Sequence, residues 1–176
     1  FAARGACVIS ADDIVRALYR DRSPCVKTIA ACFGADCLAA DGGIDRRVLA
    51  ARAFASAENT ALLGQLVHPF VTARLLEQLK GKSGIVIYDA PQLFESGADV
   101  ICDRVLAVIA ETAVRRERVM ARDGITAAQA DSRLNAQYSE AFFRSHCDAV
   151  LENNSGEAAL RQQADRVYES IVNEVT

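Results

Sequence analysis

The sequence lacks the residue patterns that mark a zinc protein, a secreted disulfide-rich protein or a membrane protein. Its six cysteines form no C-x-x-C pair, and its two histidines lie far from any close cysteine pair. A zinc site is therefore not expected. Because no signal peptide precedes the cysteines, we expect reduced, mostly buried thiols in a cytoplasmic protein. No apolar stretch approaches the roughly 20 residues that a membrane-spanning helix needs, so no membrane partner is expected.

The sequence also lacks a strong excess of either charge. Its 20 basic and 23 acidic residues give a net charge of -3. Such a balance provides no broad basic face, and we expect no nucleic-acid partner. A phosphorylated small molecule remains compatible with this charge, because a few local arginines and backbone amides can hold it. A chain of 176 residues can bury a core without disulfides or metal ions.

Four short apolar runs predict β-strands, at residues 6–9, 85–88, 104–109 and 149–151. Each run is nearly unbroken instead of alternating, which is typical of strands that are buried on both faces of a parallel sheet. Helical patterns follow these runs, as βαβ connections require. The sequence therefore predicts an α/β fold with a parallel sheet flanked by helices.

Two aspartates follow the first two predicted strands, at the edge where parallel sheets collect their ligands. Asp12 could be a base that orients an attacking hydroxyl group, or it could cap a helix that starts near Asp13. Asp89 presents the same choice, with binding of Mg²⁺ as its functional alternative. Spacing alone does not decide between these interpretations.

About 70 residues with helical periodicity separate the first two strands, which predicts a helical insertion. Asp45 is placed to cap a helix there, with Ile44 and Leu49 as a hydrophobic staple. A second helix is predicted over residues 57–67, and Pro69 then kinks the chain or begins the helix that continues to Lys80. His68 lies at this predicted break, where a structural role is the commoner alternative.

A basic helix is predicted over residues 111–124, and it is followed by a capping box at Thr126 and Gln129 that opens a helix through Gln137. A turn at residues 153–156 and an amphipathic helix at 158–175 follow the last strand.

Three arginines of the basic helix, Arg115, Arg118 and Arg122, share one helical face. They could form a solvated basic face with Glu117 as a local partner, or they could clamp phosphate groups. Arginine suits phosphoryl transfer because its planar, permanently charged group spreads donors over the transferring phosphate.

Taken in order, these motifs resemble the dephospho-coenzyme A kinase family of P-loop kinases. Each motif alone is weak, but the ordered set is specific. The similar segments are VISADDIVR at 8–16, FG at 33–34, DGGIDR at 41–46 with Leu49 and Phe54, HP at 68–69, DAPQLFE at 89–95, Arg118, Arg122, Arg133, Gln137, Arg144, and DAVLEN at 148–153.

This resemblance implies ATP-dependent phosphorylation of the ribose 3′-hydroxyl of dephospho-coenzyme A. We further expect Mg²⁺ as a cofactor and a monomeric protein. The resemblance implies that Asp12 is the general base and that Arg118 is a catalytic residue that contacts the ATP phosphates. The further implied ligands are Arg122, Asn153 and Asn154 for ATP, and His68, Pro91 and Leu93 for dephospho-coenzyme A. It also implies a nucleotide-binding core at 1–20, 84–123 and 147–176, an acceptor-binding insertion at 21–83 and a lid-like segment at 124–146.

The sequence departs from the family pattern at three places. Ser10 replaces the first Asp of a D-A-D trio, and Gln92 replaces a Leu. The family also begins with a strand and a loop of the form G-G-I-G-S-G-K-[ST], whose amides cradle phosphates. The printed sequence does not contain that loop, so we expect that an upstream segment precedes Phe1 and that catalysis requires it.

Two other functions stay open at this point. The chain could be another small-molecule kinase or a nucleoside monophosphate kinase with the same core. Alternatively, it could be a non-catalytic coenzyme A-binding relative that has lost the phosphate loop.

Overall fold

The computed structural model describes residues 1–20 and 22–175. This part of the chain divides into two compact units, Ala2–Val100 and the chain from Ile101 onward together with Phe1. The predicted domain boundaries stay predictions, and positions 21 and 176, which bound two of the predicted segments, lie outside the described residues.

The first unit contains a pair of parallel strands, β1 (Cys7–Ser10) and β2 (Val86–Asp89). Both were predicted, and each is shifted by one residue along the sequence. Ile9 is buried, whereas its neighbour Val8 is 47% exposed. Successive side chains of a strand point to opposite faces. The face of β1 that carries Ile9 is therefore covered, and the face that carries Val8 is about half exposed. The prediction that this strand is buried on both faces is therefore wrong.

Four α-helices accompany these strands: α1 (Ala11–Leu18), α2 (Pro24–Phe33), α3 (Arg46–Ala53) and α4 (Ala57–Leu79). A side-chain oxygen accepts a backbone N–H at the start of each, and Asp45 caps α3 as predicted. Ile44 and Leu49, the predicted staple, are both buried in the core of this unit.

Helix α4 passes through Pro69 and ends at Leu79, so the alternative that Pro69 begins a separate helix is wrong, while the kink stays a prediction. A proline inside a helix removes one backbone hydrogen bond and crowds the preceding turn. Here Val67, Val71 and Leu75 are buried on both sides of the proline, so that packing holds the two halves of the helix against the core.

The thiols are free, as predicted, but most of them are not buried. Cys25 and Cys37 are fully buried in the first unit, Cys32 is exposed, and the other three are partly exposed. Burial raises the pKa of the Cys25 thiol to about 11, which keeps it protonated near neutral pH.

The second unit contains the parallel strands β3 (Leu106–Ile109) and β4 (Ala149–Glu152). Both were predicted, although β3 begins two residues later than expected. Ala107 is buried, but Val108 is 61% exposed, so β3 is not buried on both faces either.

The helices of the second unit are α5 (Thr112–Asp123), α6 (Ala127–Asn135), α7 (Glu140–His146) and α8 (Glu157–Val175). Gly124 closes α5 in a left-handed conformation with φ of 63°, which glycine adopts without steric cost. The predicted capping box of Thr126 and Gln129 is present, while α6 ends two residues before the predicted Gln137. Throughout the described chain, no helix combines the length and apolar character that crossing a membrane requires.

Candidate active site

The carboxyl ends of β1 and β2 bring two predicted site residues to one edge of the first unit. Ser10 lies opposite Asp89 in the parallel register, and Asp12 follows Ser10 by two residues in the first turn of α1. Both aspartates are exposed. Two carboxylates therefore stand beyond the ends of adjacent parallel strands, where α/β folds bind their ligands.

Ser10, and not Asp12, caps helix α1. The Ser10 hydroxyl oxygen accepts the backbone N–H of Asp13 at 3.3 Å. The alternative that Asp12 is the cap is therefore wrong, because Asp12 already lies inside the helix. Asp13 pairs with Arg16 at 2.7 Å, whereas no hydrogen bond or ion pair within residues 1–20 and 22–175 occupies the Asp12 carboxylate.

Asp89 is the last residue of β2 and does not start a helix. Among the residues that the structure describes, no group of three or more His, Cys, Asp or Glu side chains is arranged to hold a metal ion. A protein site for Mg²⁺ often supplies only one or two carboxylates, and substrate phosphates and water complete the shell. An exposed carboxylate at this edge fits that mode of binding.

His68 lies half-buried in α4, and its imidazole ring rests against Gly64, one turn earlier. A Cβ atom at position 64 would stand 3.2 Å from His68 Cε1. That separation is shorter than ordinary van der Waals contact, so the ring can occupy this position only because residue 64 has no side chain.

Pro91 and Leu93 lie in the turn that follows β2. The Leu93 carbonyl accepts two hydrogen bonds, from Ser96 Oγ at 2.9 Å and from the Ala98 amide at 3.1 Å. Pro91 is exposed and Leu93 is half-buried. The turn is thus shaped by its own hydrogen bonds, and none of those in the described chain joins it to His68.

In the second unit, Arg118 and Asn153 meet at the carboxyl end of the strand pair. The Asn153 amide donates to the Ile109 carbonyl at 2.8 Å, and Arg118 Nη1 donates to the Asn153 carbonyl at 2.7 Å. The guanidinium group of Arg118 is therefore held at the edge where β3 and β4 end.

Asn154 caps α5 from a distant part of the sequence. Its Oδ1 accepts the Glu111 amide at 2.8 Å, while the Glu111 side chain makes no capping bond of its own. Two consecutive residues of the turn after β4 thus contact α5, one at the start of the helix and one at Arg118. Sequence patterns did not reveal this cap, because local capping signals span only a few residues.

Among the described residues, Arg115, Arg118 and Arg122 make no hydrogen bond or ion pair with Glu117, although Arg118 and Arg122 are exposed, as the interpretation of a solvated basic face expects. Arg115 donates to Gln137, Arg118 donates to Asn153, and Arg122 pairs with Asp123. Each of the three arginines thus has a partner other than Glu117.

Asp123 is a residue that the sequence analysis missed. Its two carboxylate oxygens accept Arg122 Nε at 2.7 Å and Arg122 Nη2 at 3.0 Å, and Oδ2 also accepts Arg133 Nη1 at 2.6 Å. The hydrogen bonds from Arg122, together with the charges of both arginines, lower the pKa of the Asp123 carboxyl.

The comparisons with known proteins agree on one family. The family model described as dephospho-CoA kinase matches residues 1–159. A dephospho-CoA kinase of Anaeromyxobacter dehalogenans is 38% identical over 169 residues, which cover 94% of this chain and 80% of the relative. A dephospho-CoA kinase of Mycolicibacterium paratuberculosis is 35% identical over 170 residues, but the chain spans only 42% of that longer protein.

Two solved structures are also similar to the chain. A dephospho-CoA kinase from Campylobacter jejuni has a TM-score of 0.70 and 25% identity, with 99% of this chain and 89% of that chain covered. A crystal structure of a Thermus thermophilus protein has a TM-score of 0.77 and 28% identity, with 99% and 87% covered.

The fold and its relatives define an α/β kinase of the P-loop type, as the sequence predicted. The chain belongs to the dephospho-CoA kinase family, which confirms the resemblance.

Proposed function

We propose that this protein transfers the γ-phosphoryl group of ATP to the ribose 3′-hydroxyl of dephospho-coenzyme A, the last step of coenzyme A synthesis. The observation that carries the proposal is the family match over residues 1–159. It acts on a small molecule, and we propose that it does so as a monomer in the cytoplasm.

Asp12 is the proposed general base. The carboxylate is exposed at the carboxyl edge of β1, and Ser10 relieves it of the capping role. An acceptor hydroxyl placed within hydrogen-bond distance of this carboxylate would give up its proton as the phosphoryl group arrives.

Asp89 on the neighbouring strand is proposed to bind Mg²⁺ together with the phosphates of ATP. The ion would neutralise phosphate charge during the transfer. The support for this assignment is the position of Asp89 opposite Ser10 at the same edge.

Arg118 and Arg122 are proposed to bind the ATP phosphates. A guanidinium group carries five N–H donors, and the hydrogen bond from Arg118 to the Asn153 carbonyl uses only one nitrogen. The others can donate to phosphate oxygens, and the positive charge stabilises the transferring group. Asn153 and Asn154 are proposed to lie beside the adenine base.

His68, Pro91 and Leu93 are proposed to bind dephospho-coenzyme A. The half-buried His68 and Leu93 offer both contact area and an accessible edge. The His68 ring occupies the space beside Gly64 that a side chain at position 64 would enter.

The proposal is tested by comparing dephospho-coenzyme A with AMP and gluconate as acceptors of phosphate from ATP, using the intact protein. We expect the largest kcat/KM with dephospho-coenzyme A and a product that carries its new phosphate on the 3′ oxygen by ³¹P NMR. Faster turnover of AMP or gluconate would assign the protein to another kinase activity. Binding of coenzyme A without any turnover would instead identify a non-catalytic relative.

A further inference from the structure

Asp123 joins two arginines from different helices of the second unit. Arg122 is the residue before it at the end of α5, and Arg133 comes from α6. Both guanidinium groups donate to the same oxygen, Oδ2 of Asp123. The Asp123 side chain is 22% exposed, whereas the side chains of Arg122 and Arg133 are 73% and 58% exposed.

The charge of this cluster suits an anion that comes from solution. Two guanidinium groups at such close range repel each other unless a negative charge lies between them. The Asp123 carboxylate offsets one of the two positive charges, so the cluster of three side chains keeps a net charge of about +1. Because the Asp123 side chain is less exposed than those of the two arginines, that positive charge faces the solvent.

Donors also remain for a second anion. Asp123 engages Arg122 through Nε and Nη2, on one edge of its guanidinium group, and engages Arg133 through Nη1 alone. Each guanidinium group has five N–H donors, and its planar fork matches the oxygens of a phosphate. The two groups can therefore hold Asp123 and donate to phosphate oxygens at the same time.

The cluster lies next to Arg118 on α5. Residues 118 and 122 are one helical turn apart and share a face of the helix. Arg118 contacts Asn153 at the carboxyl end of the strand pair. The guanidinium groups of Arg118 and Arg122 therefore follow one another along α5 from that edge. Arg133 of α6 joins them through its ion pair with Asp123.

We infer that Asp123 is a positioning residue that holds Arg133 beside Arg122, so that the two arginines bind the phosphate chain of a nucleoside triphosphate together. This inference deepens the proposed function and rests on it for the identity of the nucleotide. Asp123 acts through the arginines and does not itself contact the ligand.

Asp123 could have a purely structural role as a link between α5 and α6. A second ion pair between the same two helices provides a matched control for that possibility. Arg116 on α5 pairs with Asp131 on α6 at 2.6 Å. If linking the helices were the function of these carboxylates, neutralising Asp131 would have the same consequence as neutralising Asp123.

The test compares Asp123→Asn with Asp131→Asn in the intact protein by two measurements. One is calorimetric titration with ATP in the absence of acceptor, and the other is steady-state kinetics. We expect Asp123→Asn to weaken ATP binding about tenfold and to raise the KM for ATP by a similar factor, since charge-assisted hydrogen bonds of both arginines lose their orientation. The KM for dephospho-coenzyme A should stay within about twofold, and Asp131→Asn should change ATP binding less than twofold.

A double-mutant cycle adds a second readout, the coupling between Asp123 and Arg133, in variants whose folding is first checked by denaturant unfolding. We expect Arg133→Gln alone to weaken ATP binding about tenfold, and to add less than about threefold when Asp123 is already Asn. Additive losses would overturn the inference, as would wild-type ATP binding in Asp123→Asn or an equal loss in Asp131→Asn.

Failure of the proposed function gives a different result. If ATP binds and the Asp123→Asn loss is observed while dephospho-coenzyme A is not phosphorylated, then the acceptor assignment is wrong and the positioning role stands. Absence of ATP binding by the unsubstituted protein would overturn both.

Discussion

Ser10 stands opposite Asp89 in the register of β1 and β2, and its hydroxyl accepts the amide of Asp13 at the start of α1. One short side chain therefore ends a strand and begins a helix. The residue that replaces the family's usual aspartate at position 10 is thus a helix cap, and Asp12 keeps its carboxylate available for chemistry.

Asp12→Asn should lower kcat by about 100-fold or more, because general base catalysis contributes roughly that factor and an amide cannot accept the proton. The KM for dephospho-coenzyme A should change little, since the amide has nearly the same shape as the carboxylate. Steady-state kinetics measures both. Asp13→Asn is the control, because it changes the adjacent carboxylate and removes only an exposed pair with Arg16. Undiminished turnover in Asp12→Asn would remove Asp12 from the mechanism.

Arg118→Lys should reduce kcat/KM for ATP by about 10- to 100-fold although it keeps the charge. A lysine lacks the planar fork that can donate to the Asn153 carbonyl and to phosphate oxygens together. Arg161→Lys, which changes an exposed arginine paired with Glu157 on α8, should leave kcat/KM unchanged. If the two substitutions had equal effects, the geometry at Arg118 would have no special importance.

Gly64→Ala should separate stability from acceptor binding. Alanine stabilises a helix by about 1 kcal/mol relative to glycine, so the free energy of unfolding should not fall. The new methyl group would displace the His68 ring, because it would lie 3.2 Å from Cε1. We therefore expect an increase of about 3- to 10-fold in the KM for dephospho-coenzyme A, a size typical of losing part of one hydrogen bond. Denaturant unfolding and steady-state kinetics measure the two effects.

His68→Ala supplies the control for that prediction. With the ring removed, a further Gly64→Ala change should leave the KM where His68→Ala alone puts it. A KM that still rises in the double variant would show that the methyl group acts on something other than His68.

The stability of the protein should fall at high pH because of Cys25. Its pKa is raised to about 11 in the folded state from an ordinary value of 9.0, so the folded protein keeps a proton that the unfolded chain loses. The full contribution is present below pH 9 and is lost as the pH rises from 9 to 11, by at most about 1.4 kcal/mol per pH unit. Denaturant unfolding at pH 8 and pH 10 measures the loss.

Cys25→Ala should reduce this pH dependence, although the variant is less stable at every pH because it leaves a small cavity. Tyr19, whose pKa burial raises to about 12, would still contribute above pH 10. An unchanged slope between pH 8 and pH 10 in Cys25→Ala would assign the effect to other groups.

Local patterns predicted much of the fold because the forces behind them act within a few residues. The apolar runs at β1 and β2 place each strand to within one residue, and Asp45 and the Thr126–Gln129 box cap their helices as predicted. Such caps depend on hydrogen bonds that span only three residues.

The errors arose where contacts from elsewhere in the chain outweigh local preference. Pro69 does not break α4, because buried residues on either side of it pack against the core. Val8 and Val108 are apolar yet exposed, while their neighbours Ile9 and Ala107 are buried. Burial depends on which helices cover a strand, and no local pattern encodes that.

The residues of the candidate site also fall into those that local sequence predicts and those that it does not. Asp12 and Asp89 were found from their positions after apolar runs, and their roles stay predictions. Asp123 and the capping role of Asn154 were not found, because their partners lie on other elements. The direction in which the Gly124 turn leads the chain from α5 into α6 decides whether Arg133 can reach Asp123 at all.

The turn after β4 contacts α5 at two points, through Asn154 at the amide of the N-cap residue Glu111 and through the Asn153 carbonyl at Arg118. The position of the turn therefore sets the position of the Arg118 guanidinium group. Lengthening residues 153–156 would move the carbonyl that Arg118 contacts without changing any charged side chain. If Arg118 binds phosphate as proposed, variation in the length of this loop would be a way to change nucleotide affinity.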